Sequence, residues 1–192
     1  MMKKIIIISV MLLLVMLIAV ACDELGEVSS DIRTATWSEY GMEWETLYRY
    51  ECETGLIGYV DTSGEVIIEP QFYGGHRFSE GLAFVIGVPG REDQTGFIDL
   101  EGNLVIPLPT ALAAGRFSEG FAAVNIREWE RPNPFIDGTL GPYVIIDRTG
   151  QDVFDQEFLW VRSFENGFAR VMLLNGTEHY IDRNGNIVRN KP

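Results

Sequence analysis

Residues 78–83 read Phe-Ser-Glu-Gly-Leu-Ala, and this short stretch recurs along the chain. It returns as Phe-Ser-Glu-Gly-Phe-Ala at 117–122 and as Phe-Glu-Asn-Gly-Phe-Ala at 164–169, while a weaker copy, Trp-Ser-Glu, begins at Trp37. The copies start about 40 residues apart, a period that in β-rich chains indicates propeller blades or solenoid coils. The sequence therefore predicts a repeat protein, in which each repeat is one small β-unit.

A second motif, Asp-x-x-Gly, alternates with the first. Each copy lies between two apolar segments, as in Tyr59-Val60 before and Val66-Ile67-Ile68 after the first copy. An Asp at the first position of a tight turn can accept a bond from its own backbone two residues on, and Gly at the fourth tolerates positive φ. The motif thus predicts a hairpin turn in every repeat. The turn residues are Asp61, Gly64, Asp99, Gly102, Asp147, Gly150, Asp182 and Gly185.

The two motifs together define the predicted unit. A strand follows the Phe-Ser-Glu-Gly loop, a second precedes Asp-x-x-Gly and a third follows it, which makes a three-stranded antiparallel meander. We expect an all-β fold of about four such units, arranged as an open curved array or, alternatively, as a small propeller-like ring. The aromatic residue that opens each loop is expected in the core. The structural loop residues are Phe78, Gly81, Phe117, Gly120, Phe164 and Gly167.

The combined pattern resembles the WG repeat, also called the KWG repeat. Residues 58–72 carry Gly-Tyr-Val-Asp, a turn glycine, Val-Ile-Ile, Pro70 and Phe72, and the Phe-Ser-Glu-Gly loop follows. The resemblance extends over about 37–188. The chain departs from the family pattern at its eponymous Trp, since Ile57 and Thr95 stand before Gly58 and Gly96. The resemblance implies a β-repeat architecture and no shared catalytic activity.

The N-terminus predicts export. Lys3 and Lys4 precede an apolar run that ends in Ala19-Val20-Ala21-Cys22, which is typical of a lipoprotein signal peptide. We expect residues 1–21 to be removed, Cys22 to carry a diacylglyceryl anchor, residues 22–36 to form a tether and 37–188 to form the repeat domain. Ordinary secretion and an uncleaved membrane anchor are the alternatives. The expected location is a bacterial membrane, facing the periplasm or the cell exterior.

Net charge disfavours nucleic acid as a partner. The chain carries a formal charge of −13, spread along its length, and such a surface repels phosphate backbones. We expect a monomer that needs neither a cofactor nor a metal. The repeated Asp residues could suggest calcium, but one Asp-x-x-Gly turn supplies too few oxygen ligands.

Repetition also argues against an enzyme. A catalytic group is needed once, whereas residues that recur in every unit are explained by the fold. The acidic and aromatic segment 39–53 could suggest a glycosidase cleft, but it reads equally well as a strand pair. We therefore expect no catalytic residues.

The place where the repeats differ is the candidate binding site. Residues 127–142 lengthen the third unit, and long insertions in compact repeats are often functional. The candidate binding loop comprises Trp129, Arg131, Phe135 and Asp137. A tolerated surface excursion is the alternative. We predict a non-catalytic, lipid-anchored protein-interaction module of the cell envelope; the alternatives are a module that binds cell-wall or extracellular polysaccharide and, third, a hydrolase.

Overall fold

The computed structural model describes residues 47–91, 93–125 and 142–188. Within these ranges the chain forms fourteen strands and no helix, so the predicted all-β class is confirmed. A membrane-spanning helix is accordingly absent from the same ranges.

The strands form three antiparallel sheets, and in each sheet the hydrogen-bonded neighbours follow one another in sequence. None of the sheets closes on itself, as the predicted open array requires. The first sheet contains β1 (Tyr48–Glu51), β2 (Ile57–Val60) and β3 (Val66–Phe72). The second contains β4 (Gly74–Gly75), β5 (Ala83–Ile86), β6 (Gly96–Ile98) and β7 (Leu104–Pro107). The third contains β8 (Ala113–Ala114), β9 (Phe121–Asn125), β10 (Tyr143–Asp147), β11 (Phe158–Val161), β12 (Phe168–Leu173), β13 (Glu178–Asp182) and β14 (Ile187–Val188).

The repeats are visible as four units: β1–β3, β4–β7, β8–β10 and β11–β14. The predicted three-strand meander is present in the first, second and fourth units, whereas in the third no described strand follows the Asp-x-x-Gly turn, and Asp152 forms only an isolated bridge to Ile146. A short strand is added before the Phe-Ser-Glu-Gly loop in the second, third and fourth units, namely β4, β8 and β11. The third and fourth units share a sheet because β10 and β11 pair at Tyr143 and Phe158. The loop of the first unit, which begins at Trp37, lies outside the described residues.

Hydrophobic burial takes place between neighbouring units. In β5, Phe84 packs into the cluster shared with the third unit, whereas Ala83 and Val85 pack into the cluster shared with the first. Alternate strand residues point to opposite faces, so this strand is buried on both sides. In the same way, Val144 faces the second unit and Ile145 faces the fourth. The units thus stack in chain order, and each completes its core against its neighbours.

The aromatic residue of each loop is buried in the core, as predicted, and it lies at the contact between units. Phe78, Phe117 and Phe164 are at most 2% exposed. The ring of Phe78 packs edge-on against Tyr59 of the preceding unit, with the ring centroids 4.9 Å apart. Phe117 lies 4.8 Å from Phe97 in the same manner. Each loop therefore inserts its aromatic side chain into the unit before it.

Candidate interaction surface

The Phe-Ser-Glu-Gly loop is a two-residue hairpin turn with an unusual backbone. Ser79 and Leu82 exchange both backbone hydrogen bonds across it, and the central residues Glu80 and Gly81 have φ of 53° and 78°. Glu119 and Asn166 adopt the same positive φ in the next two copies. Two central residues with positive φ are typical of a type I′ turn. The sequence predicted the flexible glycine but not the left-handed residue before it.

The serine and glutamate of this turn connect one unit to the next. The Ser79 hydroxyl donates to the carbonyl of Phe117 at 2.7 Å, and the Ser118 hydroxyl donates to the carbonyl of Phe164 at 2.6 Å. The glutamate bonds have donor and acceptor exchanged between the units: the Glu80 carboxylate accepts from the Gly120 N–H at 3.0 Å. These bonds make a polar ladder along the stacked loops.

Arginines from the Asp-x-x-Gly turns add a third contact to the ladder. Arg148 donates to the Glu80 carbonyl at 2.9 Å, and Arg183 donates to the Glu119 carbonyl at 2.8 Å. The Arg148 guanidinium also lies 3.6 Å from the Glu80 carboxylate and over the ring of Phe117. Each arginine reaches back to the preceding unit, so the recurrent polar residues are occupied by the fold.

The terminal copy of the loop differs where the ladder ends. The fourth unit carries Glu165 and Asn166 in place of serine and glutamate. No described unit follows it, and within the described ranges neither of these two side chains makes a ladder bond.

The recurrent aspartates are turn residues, as predicted. Asp61 accepts bonds from the Ser63 hydroxyl and from the Ser63 and Glu65 N–H groups, and these bonds hold its pKa below the usual value. The pKa of Asp147 is lowered by Thr149 and that of Asp182 by Asn186 in the same way. Within the described ranges, no group of three His, Cys, Asp or Glu side chains is placed to hold a metal ion.

The outer strands carry exposed aliphatic side chains. β3, β7 and β14 each end a sheet, and they expose Val66, Ile67, Val105 and Ile187, which we call the apolar row. Ile67 and Val105 occupy the same repeat position and are 45% and 47% exposed. Because the units stack in order, equivalent positions of neighbouring units lie side by side. The row is therefore a repeated feature of the array surface.

Two of the three edge strands that carry the apolar row, β3 and β7, are protected against strand addition. Pro70 lies in β3 and Pro107 in β7, and proline cannot donate a ladder hydrogen bond. Proline on an edge strand discourages pairing with another chain. This surface is consequently suited to contacts through side chains.

The residues predicted to contact a ligand fall elsewhere. The candidate binding loop, Trp129, Arg131, Phe135 and Asp137, lies outside the described residues, and so does the lipid-attachment residue Cys22. Those predictions remain predictions. The apolar row was not predicted from the sequence, because the segments Val-Ile-Ile and Leu-Val-Ile are typical of buried strands. Their uninterrupted apolar character was the available signal, since a one-sided strand should alternate with polar residues.

Comparison with known families supports the repeat assignment. The family model of the WG containing repeat matches residues 57–86 and 145–177. The chain carries WG repeats. Each matched WG segment runs from the strand before Asp-x-x-Gly, through the turn, to the strand after the Phe-Gly loop. No curated protein and no solved structure matches the chain.

The structure explains the glycine for which the WG repeat is named. A Cβ on Gly58 would lie 2.6 Å from the Ile68 carbonyl oxygen, and one on Gly96 would lie 2.1 Å from that of Ile106. Both glycines therefore let the third strand of the unit approach closely. Gly58 lies at an irregular step in the strand register, and Gly96 lies just before one, which falls between Phe97 and Ile98.

Proposed function

We propose that the chain is a non-catalytic, lipid-anchored envelope protein that docks a protein partner on the surface of its WG-repeat array. The observation that carries this proposal is the apolar row. Exposed aliphatic side chains recur on the edge strands of the first, second and fourth units, and exposed apolar surface is typical of protein–protein contact sites. The polar residues of the motifs are occupied by the ladder, so the exposed side chains of the edge strands are left for a partner.

A polysaccharide is the less favoured ligand. Sugar rings are commonly held on flat, exposed aromatic side chains, and among the aromatic residues of the described ranges only Tyr73 is exposed. Half-buried aromatics such as Trp160 and Tyr180 do not form an open row. The balance therefore favours protein.

Membrane anchoring rests on the N-terminal sequence. The positive start, the apolar run and Cys22 at the end of Ala-Val-Ala-Cys support lipidation. A diacylglyceryl group supplies the two chains that stable anchoring needs. Mass spectrometry of the membrane-extracted protein tests this part, because a mature chain that starts at an unmodified Cys22 contradicts it.

The proposal that the protein is not an enzyme rests on the recurrence of its polar residues in every repeat. Groups that recur in every unit, such as the turn aspartates, are hydrogen-bonded within their own turns. A catalytic constellation would have to be built from residues that occur once. Hydrolysis of cell-wall material by the purified protein contradicts this part of the proposal.

The test is in-cell crosslinking of the full-length protein, followed by purification and mass spectrometry. We expect a reproducible envelope-protein partner whose yield falls in a double variant with Ile67→Glu and Val105→Glu. Leu174→Glu is the matched control, since Leu174 is 45% exposed but lies in the turn between β12 and β13, outside the apolar row.

Three outcomes separate the alternatives. Equal yields for the double variant and the control contradict docking on the apolar row. A loss of the partner only when residues 129–137 are replaced by a short Gly-Ser turn assigns docking to the insertion. If no protein is captured and the chain co-sediments with cell-wall material, the polysaccharide alternative replaces the proposal.

A further inference from the structure

A groove lined by arginines crosses the stacked units. Its widest part, an open depression of about 620 Å³, is lined by Arg49, Arg77 and Arg116 with His76 beside them. A second depression shares Arg116 and adds Arg162, and a third shares Arg162 and adds Arg170. Because each depression shares residues with the next, the three form one continuous surface, the arginine groove.

The repeat architecture brings these charges together. Arg77 and Arg116 each stand immediately before the buried phenylalanine of a loop, and Arg162 stands two residues before Phe164. The serine hydroxyl bonds of the polar ladder hold the loops of consecutive units next to each other. The fold therefore fixes like charges side by side. Like-charged neighbours are destabilising, and a local feature that opposes stability is more often functional than accidental.

The arginine groove is a cluster of positive charge on a chain whose net charge is negative. The chain has 28 acidic and 15 basic residues. Eight of these basic residues are arginines within the described ranges; five line the groove, and Arg148 and Arg183 belong to the ladder. Partial burial lowers the pKa of His76, and the guanidinium groups of Arg116 and Arg49 lower it further, which is the effect of positive potential in the groove.

Few carboxylates neutralise the groove. Within ranges 47–91, 93–125 and 142–188, neither Arg77 nor Arg116 forms an ion pair. Arg49 pairs with Glu51 at the surface, and Arg170 pairs with Glu178. Glu165 lines the far depression and is the one carboxylate among the lining residues. The centre of the groove thus presents two exposed guanidinium groups to solvent.

The lining indicates the class of ligand. Guanidinium groups bind carboxylates through paired, charge-assisted hydrogen bonds. The widest depression has no ring of Phe, Tyr or Trp on which a sugar could stack. A dense polyanion is repelled by the net charge of −13, whereas a short acidic segment confines its charge to the groove.

We propose that the arginine groove binds an extended acidic peptide segment, whose Asp or Glu side chains pair with Arg77 and Arg116. The inference deepens the proposed function, on which it rests, by naming the chemistry of the protein partner. The apolar row and the arginine groove are then two separate contacts with that partner, one aliphatic and one ionic.

The test is fluorescence anisotropy with a labelled octaglutamate peptide and the full-length lipidated protein in detergent micelles. We expect binding that weakens as salt rises and that falls about tenfold or more in the double variant with Arg77→Glu and Arg116→Glu. Arg91→Glu is the matched control, because Arg91 is exposed and lies outside the groove, so its binding should stay near the wild-type value. Octaglutamine should not bind. Equal losses in the control and the double variant overturn the proposal, since they indicate unspecific attraction.

Two further comparisons distinguish an acidic peptide from an anionic polysaccharide as the ligand, and the groove inference from the proposed function. If polygalacturonate binds with the same arginine dependence and octaglutamate does not, the ligand is an anionic polysaccharide and the peptide proposal is overturned. If octaglutamate fails to bind while the cellular crosslink of the apolar row persists, the groove inference fails and the proposed function stands. If octaglutamate binds but no crosslink depends on the apolar row, the peptide site is supported and docking on that row fails.

Discussion

The second and third units build their third strand differently. In the second unit, β7 runs beside β6, and Gly96 allows the close approach. In the third unit, Val144 occupies the position of Gly96. Asp152 and Val153 pair with β10 for two residues only. The chain then leaves the sheet over 154–157 and pairs with β10 again at Phe158. Between these two units, the glycine of the WG motif accompanies a continuous third strand, whereas Val144 accompanies a third segment that leaves the sheet.

The displaced segment is used by the next unit. Phe154 lies in the excursion, and a Cβ on Gly185 would meet its ring at 2.8 Å. Gly102 lies over Ile68 and Gly150 over Ile106 in the same way. The glycine of each later turn thus rests on the third-strand residue of the unit before it. Gly64, in the first unit, has no such neighbour among the described residues.

Gly96→Ala should have the largest effect on stability. The new Cβ would lie 2.1 Å from a backbone carbonyl oxygen, at a φ of 152° that an L side chain rarely adopts. We expect a loss of about 3 kcal/mol or more in urea-induced unfolding, because overpacking and backbone strain add. Val144→Ala is the comparison, with about 1–2 kcal/mol expected for the methyl groups removed. If Gly96→Ala is the milder of the two, the explanation of the WG glycine is wrong.

Gly150→Ala should have the next largest effect, and Gly64→Ala is its control. The two turn glycines have φ of 83° and 88°, so the backbone strain is the same. Only at Gly150 does the new Cβ meet a neighbour, the Ile106 side chain at 2.6 Å. We expect Gly150→Ala to lower the free energy of unfolding by about 1–3 kcal/mol more than Gly64→Ala. Equal losses would show that contact between units does not constrain this turn.

Glu119→Ala should have a moderate effect, which tests the ladder. The Glu119 carboxylate accepts from the Gly167 N–H at 2.9 Å, whereas Glu165, which stands at the serine position of the fourth loop, is exposed and serves as a carboxylate control. We expect a loss of about 1–2 kcal/mol for Glu119→Ala and of less than about 0.5 kcal/mol for Glu165→Ala in chemical unfolding. A similar loss in both variants would show that the bond from Gly167 to Glu119 does not stabilise the stacked units.

The loss of stability at low pH should be the smallest of these effects when only one Asp-x-x-Gly turn is changed. A carboxyl whose folded pKa lies below its unfolded value of about 3.9 stabilises the fold above that pH, and the contribution is lost as pH falls through the folded pKa. The lowered pKa of Asp147, caused first by the Thr149 hydroxyl, predicts this behaviour. Asp147→Asn should flatten the fall in melting temperature between pH 5 and pH 2, since its side chain does not titrate. An unchanged slope would contradict the turn's part in acid sensitivity.

Sequence periodicity predicted the repeats because each motif encodes a local turn. Asp61 and Gly64 shape their turn with groups only a few residues away, so the spacing alone was sufficient. The short strand β4 could not be predicted, since Gly74-Gly75 has no strand signal and pairs because the loop turns back on itself. The same limit holds for Glu80, whose left-handed φ is fixed by the turn and whose carboxylate finds Gly120 only after the units stack.

The candidate surfaces were harder to predict than the fold. Arg77 and Arg116 lie 39 positions apart and come together only through stacking, so no local pattern marks them as a pair. The apolar row was hidden because exposed and buried positions in β3 carry the same residue types. The available signal for the arginines was the repeat position before Phe78 and Phe117, which carries arginine in both copies.

The central claim is that the buried and hydrogen-bonded residues of the repeats build the array, while exposed side chains on its edge strands bind the partner. The most direct measurement compares the crosslinked yield per folded protein for two variants. Ser118→Ala removes a ladder bond and should lower the melting temperature while the yield per folded protein stays unchanged. The double variant with Ile67→Glu and Val105→Glu should keep the melting temperature and lose the crosslink. If the ladder variant loses the crosslink and the surface variant keeps it, the division between fold and function is contradicted.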